Sequence, residues 1–170
     1  MRLLKGILFL GAMSVLTLAP TYVLGHGNER GTASANVEGG VVKVEYGRPM
    51  LKGRDMMSKV QPGDYWRVGA DKATTLTTDV DLMMEGDHNI SHGEDKLFAK
   101  FEGDNKWSLV LAEGSERGKP EGVVAEIPMT VMKLDAPVEM LTIKLSAADM
   151  QGKITIEWGT TQMVADFGTS

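Results

Sequence analysis

The stretch from Arg48 to Lys72 holds six basic residues, Arg48, Lys52, Arg54, Lys59, Arg67 and Lys72, opposed only by Asp55, Asp64 and Asp71. Three of the chain's six arginines fall there. A guanidinium forms planar, bidentate bonds to carboxylate or phosphate. If Arg48, Arg54 and Arg67 converge, they can hold a small anionic ligand, with Asp71 also at the ligand site and Trp66 as a pocket wall. The competing use of the same residues is structural: the arginines pair with Asp55, Asp64, Asp71 or Glu157 and pin a long loop. Gly47, Gly53, Gly63 and Gly69 punctuate the segment, as in turn-rich loops that carry function. No Gly-x-x-x-x-Gly-Lys-Ser/Thr phosphate loop is present.

The three histidines, His26, His88 and His92, offer a second chemistry. A chain beginning at His26 could chelate Cu(II) through its amino group and imidazole, with His88 or His92 completing a three-nitrogen site. The competing view is of exposed loop histidines and a frayed terminus. Nucleophilic catalysis has little support, since there is no Gly-x-Ser-x-Gly elbow and no cysteine. Asp79, Asp81 and Asp87 do not follow calcium-loop spacing. Of the tryptophans, Trp107 and Trp158 fall in phase with apolar neighbours and are assigned to the core. Met56-Met57 and Met83-Met84 are read as apolar gap fillers.

These groups must be carried on strands. Apolar residues alternate with period two at 42–46, 80–84, 97–101, 107–111, 127–131, 141–145 and 154–158. Thr74 to Thr78 adds a threonine-rich strand. Turn chemistry separates the runs: Gly39-Gly40, Glu85-Gly86-Asp87, Glu102-Gly103-Asp104-Asn105, a longer polar loop from Gly114 to Gly122, Ala136-Pro137 and Gln151-Gly152. Gly159-Thr160 is either a turn or a bend within one long final strand. Helix signals are limited to single turns at 55–59 and at 146–150, the latter capped by Ser146. The pattern predicts an all-β fold, an antiparallel β-sandwich of about eight to ten strands, with a closed β-barrel as the alternative.

The N-terminus reads as a leader. Arg2 and Lys5 precede an uncharged run from Gly6 to Gly25, broken by Pro20 before it reaches the roughly 20 apolar residues of a membrane span. Residues 1–25 are expected to be a signal peptide, cleaved after Gly25 or Gly27. Residues 26–31 read as a flexible entry segment and 32–170 as one domain. The expected location is the periplasm or the medium, with no stable membrane span after cleavage. The whole chain carries a formal net charge of −5 and the leader holds no acidic residue, so the mature chain is more acidic still. That argues against general nucleic-acid binding.

Several motifs resemble one known family. Tyr46-Gly47-Arg48-Pro49, Lys52-Gly53-Arg54, Trp66-Arg67-Val68-Gly69-Ala70, Ala73-Thr74-Thr75, the run from Trp107 to Leu111 and Glu157-Trp158-Gly159-Thr160-Thr161 together resemble the bacterial family catalogued as domain of unknown function 2911. The resemblance spans roughly Thr32 to Phe167. It implies an exported single-domain protein and supplies no catalytic residue. Where relatives usually show a Pro-Ala-Gly-x-Tyr turn, this chain has Ser91 to Asp95. Where many carry aromatics after the Trp hairpin, it has Glu113 to Glu121, with none.

The expected function is that of a non-enzymatic binding module without cofactor, taking a small anionic ligand or a protein partner through the Arg48–Lys72 region. The alternative is a hydrolase or metal-dependent enzyme with its site there or around His88 and His92.

Overall fold

The computed structural model describes residues 28–169. The expected leader and His26 lie outside the described residues. Ten strands make up nearly all regular structure: β1 (Glu29–Val37), β2 (Gly40–Arg48), β3 (Tyr65–Trp66), β4 (Thr75–Thr78), β5 (Leu82–Met84), β6 (His88–Ile90), β7 (Gly93–Gly103), β8 (Lys106–Glu116), β9 (Lys119–Ala148) and β10 (Gln151–Thr169). A 3₁₀ turn covers Met57–Lys59. Every strand pair is antiparallel, in the order β1-β2-β4-β7-β8-β9-β10-β5-β6, with β3 also pairing with β7. The sheet is open and does not close into a barrel.

This sheet doubles over to cover its own apolar face. β9 gives its first part, up to Met129, to β8 and the remainder to β10. β10 pairs with β9 along most of its length and reaches β5 at its end. The bend brings the two ends of β10 together: Thr169 N–H donates to Met150 O at 2.9 Å. The enclosed core takes one residue in two from each strand, including Val42, Val44, Leu76, Leu97, Leu109, Leu111, Ile127, Leu141, Ile154, Ile156 and Met163, each no more than 1% exposed. Burying each such side chain contributes about 1.5–3 kcal/mol. A smaller cluster of Phe98, Val110 and Ala112 lies apart from it, with Tyr65 packed against it.

Four local readings change. β1 starts at Glu29, inside the stretch read as an entry segment, and Glu29 to Gly31 pair with Arg48 to Tyr46. Ser146 to Ala148 continue β9 instead of forming a helical turn, and the chain reverses at Asp149-Met150. Gly114 to Gly122 is no loop: β8 runs to Glu116 and β9 starts at Lys119, around Arg117 and Gly118, both at positive φ (49° and 80°). That suits a two-residue hairpin turn. This arm projects beyond the core and is polar on both faces, so it has no apolar alternation to betray it. Finally, 127–131 and 141–145 belong to one strand, and Ala136-Pro137 is a bulge within it.

Candidate functional site

The segment between β2 and β4 is laid along the outer edge of β9 by atoms just before and within it. Leu141 N–H donates to Pro49 O at 3.0 Å, and Leu51 N–H to Glu139 O at 2.9 Å. The Tyr46 hydroxyl donates to Ile143 O at 3.3 Å and accepts from Ile143 N–H at 2.9 Å. Arg48 Nε donates to Leu141 O at 3.3 Å, while its Nη1 meets Glu29 Oε1 at 2.8 Å. These bonds satisfy backbone groups of β9 that no neighbouring strand takes there. Arg48 is therefore held in the framework, bridging β1, β2 and β9.

Further along, Val68 is fully buried with φ at +49°, a conformation rare for a β-branched residue. The Thr74 hydroxyl donates to its carbonyl at 2.9 Å and helps to hold it there. Asp71 also has positive φ (63°) and accepts from Asn28 N–H at 2.8 Å and Asn28 Nδ2 at 3.2 Å. Those bonds, with the nearby charges of Arg30 and Arg67, hold its carboxyl below the usual range. Arg67 is exposed, its stem beside Gly118 at the tip of the β8–β9 hairpin.

Among the described residues no arginine of the segment makes a salt bridge with Asp55, Asp64, Asp71 or Glu157, the pairings expected under the structural alternative; Arg48 pairs with Glu29 instead. Asp55 Oδ1 accepts from Met57 N–H and Ser58 N–H, capping the 3₁₀ turn. Asp64 Oδ2 accepts from Gln61 N–H. Glu157 is buried, bonded by Lys144 Nζ at 2.7 Å and Gln162 Nε2 at 2.7 Å. Burial pushes its carboxyl up, but the Lys144 and Gln162 bonds and the lysine charge outweigh this and hold it below the ordinary value.

Arg54 alone of the three arginines lines a described cavity. Its Nε donates to Leu51 O and its Nη2 to Met50 O, each at 3.0 Å. The cavity, about 230 Å³, is bounded by the Leu51–Met57 loop, Pro137, and Trp158 to Thr161. Its origin is a mismatch between β9 and β10. The ten residues from Lys133 to Thr142 run against only five, Glu157 to Thr161, with register shifts on both sides of Gly159. The surplus on β9 includes Pro137, whose missing N–H is tolerated in a bulge. Gly159 has φ at +60°, and such bulges commonly re-aim side chains beside sites.

Trp158 is 4% exposed, and its Nε1–H has no acceptor among the described residues. Its ring stacks on Trp66, centroids 5.5 Å apart and planes 12° from parallel, and Trp66 in turn meets Trp107 edge-on at 6.5 Å. Trp66, expected to be the pocket wall, thus buttresses the tryptophan that lines the cavity. Trp158, Met56, Met57, Thr160, Thr161 and Pro137 were not singled out as site residues from the sequence. The available signals were Pro137 between two strand-like runs and Gly159 at the end of another, each as consistent with a bulge as with a turn.

Residues 28–167 match the family described as Protein of unknown function (DUF2911). The chain belongs to this family. No curated protein and no solved structure matches it. Motifs that this chain shares with the family meet in space here: the Trp66 motif stacks on the Glu157–Thr161 motif, and the Tyr46–Pro49 motif lies against Ala70.

Elsewhere, a larger groove of about 880 Å³ lies between the β9–β10 turn, Met83 and the end of β10. It includes no residue of the Arg48–Lys72 segment, and its Lys153 and Asp166 bond each other at 2.6 Å. The smaller cavity, with its unmatched donor, is the better candidate. His92 Nδ1 lies 2.9 Å from Asp81 Oδ1. Neither His88 nor His92 joins a group of three metal-ligating side chains among the described residues. No helix there is long and apolar enough to cross a membrane.

Proposed function

We propose that this protein is an exported, non-enzymatic binding module of the periplasm or medium that takes a small anionic ligand at the Arg54 end of the Arg48–Lys72 segment. One observation carries the reading. The buried Nε1–H of Trp158, without an acceptor among the described residues, belongs to a side chain that lines the same cavity as Arg54. A buried donor left unmatched costs about 1–3 kcal/mol, so an acceptor that a ligand brings within reach of Nε1 recovers part of that cost. The lining supplies recognition groups: a guanidinium, two threonine hydroxyls and apolar walls that include the Trp158 side chain. Its Asp55 is already committed as a cap.

Thermal unfolding of the purified chain against a panel of small carboxylates, sulfonates and phosphates tests the site. Binding should raise Tm, and both Arg54→Ala and the cavity-blocking Thr160→Trp should abolish the gain. A gain lost only in Arg67→Ala would instead place the site at the β8–β9 hairpin tip. The export half is tested by the mass of the chain recovered from a bacterial periplasm, which should lack residues 1–25.

A further inference from the structure

We infer that the cavity selects a small monocarboxylate with an apolar body; this rests on the binding reading above and narrows it. The lining carries one cation, Arg54, and its charged donor capacity is partly used. Arg54 has committed Nε and Nη2 to the Leu51 and Met50 carbonyls, which leaves Nη1 without a partner among the described residues. Trp158 Nε1–H is the second unmatched donor.

The charge of the lining is balanced, because Asp55 stands beside Arg54. A dianion such as phosphate meets that carboxylate and finds a single guanidinium to oppose it, whereas one negative charge is matched by Arg54. Most of the remaining wall is apolar, Leu51, Met56, Met57, Pro137 and the indole, with Thr160 and Thr161 beside Gly159 as its neutral polar part. Methionine side chains adapt to an irregular apolar body. At about 230 Å³ the space falls below the roughly 300–1,000 Å³ of drug-sized sites, which favours a compact free acid over a peptide terminus.

The indole N–H is itself the probe. The chain has three tryptophans, so three indole signals appear in a ¹H–¹⁵N spectrum, and Trp158→Phe assigns one of them. Benzoate and hexanoate should move that signal saturably. Benzamide, the neutral counterpart of benzoate, should bind about tenfold or more weakly, and Arg54→Gln should weaken benzoate by a similar factor. Arg54 is an exposed loop residue, so that variant keeps the test alive if Trp158→Phe fails to fold.

Equal binding of benzamide and benzoate overturns the proposal. So does tighter binding of inorganic phosphate, or of a tripeptide through its terminal carboxylate; both leave the site as a ligand-binding one. If no probe moves the Trp158 signal and no compound in the thermal panel binds, the broader reading fails as well.

Discussion

Gly47 and Ala70 meet backbone to backbone: a β-carbon on Gly47 would lie 2.1 Å from the Ala70 carbonyl oxygen and 3.1 Å from its nitrogen. Backbone cannot rotate aside as a flexible side chain can. Gly47→Ala should therefore push the Arg67–Thr74 segment off β2 and cost about 3 kcal/mol or more. Urea unfolding checks it; a loss below 1 kcal/mol would mean the two segments are not locked together.

Tyr46→Phe removes one oxygen and keeps the ring. That oxygen serves both the N–H and the carbonyl of Ile143. Leaving these buried groups unmatched should cost about 1–3 kcal/mol. Amide exchange at Ile143 should accelerate by more than the global loss accounts for.

The acid limb of stability should depend on Glu157. Its carboxyl in the folded chain titrates below the ordinary value of 4.5. Between those two values the unfolded chain binds more protons, so stability present at neutral pH is lost as pH falls through that window. Glu157→Gln should flatten this limb. Asp95 behaves oppositely: burial first, then the charge of Glu113, raises it above 3.8. Its contribution worsens as pH rises through that region, so Asp95→Asn should raise the unfolding midpoint at pH 7. Unfolding curves between pH 3 and 7 separate the two.

Phe167 lies on Gly152, where an added β-carbon would be 2.2 Å from Cζ of the ring. Gly152→Ala should cost about 1–3 kcal/mol. Shortening the ring in Gly152→Ala/Phe167→Leu should recover part of that, a coupling that a double-mutant cycle measures. Full additivity would show that the folded-over ends of β10 do not press on each other.

Much of the fold was written in local pattern. Val42-Lys43-Val44-Glu45-Tyr46 alternates because one face of β2 is buried; Leu97 to Phe101 and Ile154 to Trp158 keep the period although Phe98 and Glu157 on their other faces are buried as well. The hairpin at Asp104-Asn105 was legible because Gly, Asp and Asn are turn formers between two alternating runs, and both residues do take positive φ. The β8–β9 arm was not, since neither face of it is covered. β9 was read as two strands because Pro137 is a breaker by its own chemistry, and only pairing with β10 and Pro49–Leu51 keeps the chain extended there.

The sequence by itself determined the strand period, the antiparallel all-β class, the turns with Gly, Asp or Asn between apolar runs, and the family. These follow from side-chain chemistry acting over a few residues. Which arginine faces a cavity was decided by tertiary structure alone. Arg48, Arg54 and Arg67 are alike in sequence, yet one bridges strands, one lines a cavity and one lies beside a hairpin tip. The cavity exists because β9 and β10 disagree in length around Gly159, and Trp158 Nε1–H has no acceptor among the described residues because of what is packed about it. Both are relations between segments far apart in the chain, and no local pattern encodes them.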